Sequence, residues 1–245
     1  MNAMYLRKEE IGSILPCSDR RYGHILKILR KKAGDFLAAG CSDGTLGQAR
    51  IESISAEGIM LSYKAESEAP ELLPVRIIMG FPRPIQAGRI LKDLTSLGVA
   101  SLWFALSDLG EKSYAESTFF SKKEFEAHLI EGAEQSGNPR LPEIRTFWSI
   151  DRACQTMDET ERQSGEIPSR LMFHPDQRFP TIGGLPGLTP PVTLAIGSER
   201  GWTERELSLL RSRGFICCHL GNRILKTETA AIATVSIVLS RLGYM

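Results

Sequence analysis

With 245 residues, 42% of them apolar and 24% charged, the chain has ordinary soluble globular composition and more length than a usual single domain, so one large and one small domain are expected. A net charge of +1 excludes a general attraction to polyanions and leaves any nucleic-acid contact to local clusters. No run approaches the roughly 18 to 20 continuous apolar residues that span a bilayer, and the opening MNAMYLRKEE has no apolar signal core, so a cytoplasmic protein is expected. Five cysteines, with no CxxC spacing and with Cys217 and Cys218 adjacent on an expected strand, suit neither a disulfide framework nor a metal site.

Residues 20–32, RRYGHILKILRKK, carry Arg20, Arg21, Lys27, Arg30, Lys31 and Lys32 with no acid. Such a segment is either a phosphate-binding face or a solvated helix face, and charge alone leaves both open. Short strand-like runs follow at 36–39, 48–51 and 59–63, broken by Ser42-Asp43-Gly44 and Ala56-Glu57-Gly58, the punctuation of a small β-barrel. AESEAPELLP, at 65–74, reads as a linker, giving domains at 1–68 and 75–245.

Beyond it, strands are expected at 76–79, 101–106, 145–148, 171–173, 192–196 and 215–219, alternating with helical segments. This is an α/β pattern with a mostly parallel sheet covered on both faces. PTIGGLPGLTPP at 180–191 is a rigid, turn-rich connection, and no repeat of 20 to 50 residues is present. Trp103 and Trp148 are expected in the core, and Trp202, beside the glycine turn, is placed to cover a ligand or touch a partner subunit.

The tail is the densest stretch. Gly197-Ser198-Glu199-Arg200-Gly201 follows an apolar strand, where open α/β sheets bind ligands, but its spacing is neither the dinucleotide GxGxxG nor a P-loop. Thr203 to Glu206 forms a capping box, and Leu207, Leu210 and Phe215 make an apolar face closed by Gly214. The second loop, 220–229, combines Gly221, the cations Arg223 and Lys226, the carboxylate Glu228, and Thr227 or Thr229 as a cap for a last helix with Ile232, Val235, Leu239 and Leu242 as its buried stripe.

Together these segments resemble the SPOUT methyltransferases, and within them the 16S ribosomal RNA uridine-N3 methyltransferase family, which ends in IGPEGGF, a helix, LGxRILRxETA and a last helix. The matching segments here are Ile196 to Trp202 and Leu220 to Ala230. His24 to Arg30 with Gly34-Asp35, Ala133-Glu134-Gln135-Ser136-Gly137 with Pro142, and Leu171 to Pro175 are similar to three further family segments in the same order. The chain departs at Ser198, Arg200 and Lys226, and at Asp93 and Ser96, where the family commonly has the lysine and glutamate of KATELGV. If that helix faces RNA, the change of sign weakens a phosphate contact.

The resemblance implies a C-terminal trefoil-knot domain behind a PUA-like β-barrel, a homodimer, and S-adenosylmethionine (SAM) bound by three loops. Phe173, His174, Ile196, Gly197, Gly201, Leu220, Gly221, Ile224, Leu225 and Thr229 are the implied cofactor contacts, with Leu220, Ile224 and Leu225 as walls of an adenine slot. It implies methyl transfer to uridine N3 in ribosomal RNA or the small ribosomal subunit. Glu199 or Glu228 would accept the proton, and Arg223 would stabilise charge on the uracil oxygen or grip a phosphate. Arg20, Arg21, His24, Lys27 and Arg30 are the implied RNA contacts, although His24 also suits barrel packing. A different RNA target, and a non-catalytic ribosome-assembly protein, are the alternatives.

Overall fold

The computed structural model describes residues 2–165, 167–185 and 187–245. By contact the chain divides into two compact units, Met1–Glu71 with Ile130–Leu141, and Leu72–Leu129 with Pro142–Met245. The first therefore gathers a segment that the sequence reading assigned to the second domain.

The first unit contains β1 (Met4–Leu6), β2 (Ile14–Pro16), α1 (Arg20–Gly23), a π-helical turn (His24–Ile28), β3 (Phe36–Cys41), β4 (Thr45–Ile54) and β5 (Gly58–Glu68). They form a five-stranded sheet in the order β1-β3-β4-β5-β2. Leu37, Ala39, Ala49, Ile51, Ile59 and Leu61 alternate inward onto Met4, Leu6 and Ile25, while Phe36, Ala38, Gln48 and Arg50 point out. Register shifts at Leu46/Gly47 and Ile51/Ser53 sharpen the twist and curl the sheet into a barrel-like form whose edges, β1 and β2, do not pair. Residues 65–68, expected as linker, continue β5, so the connection begins only at Ala69.

Two ionic knots close this unit. Arg21, expected to contact RNA, is buried: its guanidinium donates to the Tyr5 carbonyl at 2.9 Å, to Glu10 at 2.7 Å and to Asp19 at 2.8 Å. A rigid fork with five donors suits this three-sided site, and it ties α1 to β1. Desolvation pushes the Glu10 and Asp19 carboxyls up, but the hydrogen bonds from Arg21 outweigh it and hold both below the ordinary range. The second knot is Glu134, 4% exposed, which accepts from the Tyr5 amide at 3.3 Å and from Arg20 at 2.7 Å while its carbonyl takes the Asn2 and Ala3 amides.

The second unit runs β6 (Leu73–Gly80), α2 (Pro84–Ser96), β7 (Val99–Ala105), α3 (Lys112–Ala115), α4 (Thr118–Ser121), the start of α5 (Glu126–Ser136, whose residues from Ile130 belong to the first unit), β8 (Glu143–Phe147), α6 (Ile150–Ser164), β9 (Ser169–Phe173), β10 (Val192–Ile196), α7 (Glu204–Ser212), β11 (Ile216–Cys218) and α8 (Thr227–Arg241). All six strands are parallel, in the order β11-β9-β10-β6-β7-β8. Cys217, Met172, Ala195, Ile78 and Trp103 stand side by side in register, one row across the sheet, and pack under α6 and α7. The alternate residues face the side where α2 and α8 pack on each other. Covered on both sides, β10 is buried throughout, worth about 1.5–3 kcal/mol for each large apolar side chain.

Near the starts of these strands lies a partly buried ionic network, centred on buried Glu161, that periodicity does not announce. Glu161 receives Arg76 at 3.2 Å and also Arg170, while Asp158 takes Arg170 at 3.0 Å and Arg213. Arg76 and Arg145 flank the Trp103 ring at 4.5 and 5.0 Å. Trp148, expected in the core with Trp103, is instead 69% exposed, because it lies just past the end of β8.

The chain after β11 makes the contacts that a knotted C-terminus requires. His219 bridges Thr181, its carbonyl takes the Ile182 amide, and the Arg241 guanidinium donates to the Ile182 and Leu185 carbonyls of the β9–β10 connection. No helix among the described residues is long and apolar enough to cross a membrane.

Replacing Arg21 with Met should destabilise the first unit by about 3 kcal/mol, since it strands two partly buried carboxylates. Amide exchange of β3 to β5 measures this, because every tryptophan lies outside that unit. Carboxyls with depressed pKa values stabilise the fold above about pH 4 and lose that contribution as pH falls through their folded values. The wild-type unit should therefore weaken below about pH 4, and the Met variant should lose that part of the acid dependence.

Candidate active site

Three loops leave the carboxyl ends of adjacent strands: after β9 at His174, after β10 at Gly197, and beyond β11 at Leu220. Between them lies a cavity of about 260 Å³. Phe173, His174, Ile196, Gly197, Gly201, Leu220, Gly221, Ile224 and Leu225 all line it, as do Glu199 and Arg223. The fold thus brings together most of the residues singled out in the sequence.

Glu228 and Thr229 are not among the lining residues. The expected cap by Thr227 or Thr229 is not made either: Lys226 is the N-cap, without a side-chain bond, and Thr227 is the first helical residue. From that start, Thr227 and Ala230, three residues apart, share the face on the cavity, and the two residues between them turn away. The expected apolar stripe is likewise split. Ala231, Val235 and Leu239 are buried, while Ile232 and Leu242 are half-buried.

Each wall has its own support. Gly80, at the end of β6, is pressed against the Gly197 turn: a Cβ there would stand 2.6 Å from the Ser198 amide nitrogen. Gly221 has φ +115°, a backbone that L side chains rarely adopt, although a Cβ would meet nothing within 4 Å. Backbone conformation, and not crowding, is its reason for being glycine. The capping box forms as expected, with Thr203 accepting from the Glu206 amide at 3.2 Å and its own amide donating back at 2.9 Å. Fully buried Glu206 also takes the Asp108 amide at 2.8 Å, so one carboxylate fixes both α7 and the loop after β7.

Glu199 accepts the Arg83 amide at 3.1 Å, which ties the glycine turn to the start of α2. Arg83 was missed in the sequence, although Pro84 at the first helical position, after a strand and a glycine, marks that helix start. Arg200 pairs with Glu111 at 2.8 Å. Arg223 and Lys226 are exposed and, among the described residues, have no ion-pair partner. His174 Nδ1 accepts from the Asp176 amide at 3.2 Å, an anchoring bond that stiffens the first loop. Trp202 is at once cavity wall and core.

Asp93 and Ser96 lie near the far end of α2. With a rise of about 1.5 Å per residue, Asp93 is about 15 Å along the axis from Arg83. Ser96 is satisfied locally, donating to the Asp93 carbonyl at 2.7 Å. The change of charge there does not touch the cavity. Among the implied RNA contacts, Arg21 is buried and Arg20 is engaged by Glu134, His24 is half-buried with Nε2 unbonded, and Lys27 and Arg30 are exposed.

A threaded C-terminus on a parallel sheet, with a glycine-walled cavity at the strand ends, is the architecture of the SPOUT RNA methyltransferases. Residues 69–239 match the RNA methyltransferase domain family and residues 18–60 the RNA methyltransferase PUA domain family. The chain is 35% identical to the ribosomal RNA small subunit methyltransferase E of Treponema pallidum, over 98% of this chain and 91% of that one. With the corresponding Borreliella burgdorferi enzyme it shares 30% identity, covering 99% of each. The crystal structure of a ribosomal RNA small subunit methyltransferase E from Neisseria gonorrhoeae, bound to S-adenosyl methionine, has the same fold, with a TM-score of 0.74 at 20% identity over 98% of this chain and 97% of that one. The chain belongs to the ribosomal RNA small subunit methyltransferase E family.

Because a Cβ at Gly80 would meet backbone and not a yielding side chain, Gly80→Ala should cost about 1–3 kcal/mol, the usual range for overpacking. Urea denaturation followed by tryptophan fluorescence measures the loss in the unit that holds Trp202. Unchanged stability would show that the glycine turn can yield.

Proposed function

We propose that the protein transfers a methyl group from S-adenosylmethionine to N3 of a uridine in 16S ribosomal RNA, acting in the cytoplasm on ribosomal RNA or the small ribosomal subunit. The observation that carries this reading is the three-loop cavity, in a chain that matches its relatives along almost their whole length.

The cavity suits the cofactor chemically. Phe173, Ile196, Leu220 and Leu225 offer apolar walls for an adenine ring. The backbone groups of Asn222 to Leu225 make no hydrogen bond among the described residues, which leaves them for a ligand. Ser198 Oγ and Trp202 Nε1, both in the wall, are buried without a partner. When bound, S-adenosylmethionine supplies an electrophilic methyl group on a sulfonium centre.

The chain's own residues do the rest. Uridine N3 bears a proton and is tied up in base pairs, so the base must be held unpaired with N3 turned to the cavity. Glu199, steadied by the Arg83 amide, is the carboxylate on the cavity wall that accepts the proton. Arg223 stabilises the negative charge that spreads onto the uracil oxygens, and Lys226 beside it suits a backbone phosphate. Glu228 serves the dipole of α8. Half-buried Ile232, Ala233 and Ile237, on the flank of α8 away from its buried face, suit a two-fold contact with a second copy, making the protein a homodimer.

Arg223→Ala should lower methylation of ribosomal RNA by about 10²-fold, the usual effect of removing one donor to developing charge, while titration of S-adenosylmethionine gives near wild-type affinity. An unchanged rate would remove Arg223 from the chemistry. Mass mapping of ribosomal RNA from a deletion strain should reveal one missing N3-methyluridine in the small-subunit RNA, and a full complement would overturn the reading. Light scattering at micromolar concentration should give twice the chain mass, and Ile237→Glu should shift it toward one.

A further inference from the structure

The first unit carries a second concavity, of about 230 Å³, lined by Asn2, Met4, Leu29, Lys31, Phe36 and Ala38. It is nearly as large as the cavity at the strand ends and has room for a planar ring. Its surroundings are unusual for a solvent-facing surface. Phe36 is 54% exposed at the start of β3, and Ile28 and Leu29 are exposed beside the groove at 69% and 38%. Ala38, on the same face as Phe36, adds no bulk over the ring, and Arg50 is the residue directly across the β3–β4 ladder from Phe36.

The backbone here is also shaped. His24–Ile28 is a π-helical turn, a form that concentrates at functional sites, and Arg30 has φ +52°, a conformation usually left to glycine or asparagine. The Leu29 amide bonds back to His24 and the Lys31 amide to Ile25, so this turn holds Leu29 and Lys31 at the groove. Lys27, Arg30, Lys31 and Lys32 have no ion-pair partner among the described residues, whereas Arg20 and Arg21 are consumed within the fold. The nearby Asp35 accepts the Lys32 amide, and Glu52 pairs with Arg50 at 3.3 Å.

An exposed aromatic ring in the wall of a groove, with Lys31 in the same wall and Lys27, Arg30 and Lys32 in the adjoining segment, matches the chemistry of an unpaired nucleotide: a π-face to stack and a phosphate on either side. We propose that this groove takes one unpaired base of the RNA substrate, stacked on Phe36, with the flanking phosphates held by Lys27, Arg30, Lys31 and Lys32. The proposal rests on the reading of the protein as an RNA-methylating enzyme. It moves recognition by the first unit from Arg20 and Arg21 to Phe36 and the four later cations.

The test uses the full chain and a fluorescein-labelled, unstructured single-stranded RNA oligonucleotide, read by anisotropy. Phe36→Ala and Phe36→Leu should each weaken binding about tenfold, whereas Phe36→Trp should retain it, since alanine removes the ring, leucine keeps apolar area without a π-face and tryptophan restores stacking. Affinity for S-adenosylmethionine should be the same in all four proteins. Wild-type affinity in Phe36→Ala, or in Phe36→Leu alone, overturns the stacking proposal while the enzymatic reading stands. Loss of the dimer in light scattering, with RNA affinity unchanged, assigns the patch to a second copy and also overturns it. If the wild-type chain binds no RNA and methylates none, the functional reading falls with it.

Discussion

Everything in the second unit hangs on where β10 is inserted. It pairs with β9 on one side and β6 on the other through the same five residues, and its register aligns Ala195 with both Met172 and Ile78. A fully parallel sheet sends every strand's carboxyl end the same way, so the turns after β9, β10 and β11 are forced into one neighbourhood. Insertion also separates β9 from β6, which is why the chain after β11 must come back past the β9–β10 connection to reach α2. The cavity and the threading are two results of one pairing choice.

Charge is distributed by a similar logic. Arginines near the starts of the strands are locked into Glu161 and Asp158, and those at the start of α1 into Glu10, Asp19 and Glu134. Such buried pairs add little net stability over apolar packing, but breaking one is expensive, so they fix geometry more than they add energy. Among the described residues, Arg223 and Lys226 at the cavity mouth and Lys27, Arg30, Lys31 and Lys32 on the far half of the basic segment have no ion-pair partner. A net charge near zero thus coexists with two local basic surfaces.

Sequence reading found the strands of the parallel sheet because each is an apolar run bounded by turns, and it found the cavity walls because the glycine turn and the 220–229 loop have a recognisable order of residues. It missed β1 and β2, since three residues are too few to show alternation. It took Arg21 for a surface cation, because a one-dimensional pattern of positive charge does not reveal which acids fold back onto it. Glu10 lies eleven residues from Arg21, and Glu134, which takes the neighbouring Arg20, lies more than a hundred from it. Placing Glu228 and Thr229 in the cavity required knowing where α8 begins, and a shift of one residue rotates every side chain on a helix by about 100°.

The segment Ile130–Leu141 gives the first unit a dependence on the order of synthesis. Glu134 caps the Asn2 and Ala3 amides, Pro139 lies against Gly40, and Arg140 reaches Glu68 and Glu71, so the barrel-like sheet lacks its own closing piece when residue 71 leaves the ribosome. At about 5–20 residues per second, the missing 70 residues arrive roughly 4–14 s later. During that interval the part of the curled sheet that Glu134 and Pro139 cover stays open, and its completion is timed by translation through the first two of the six parallel strands.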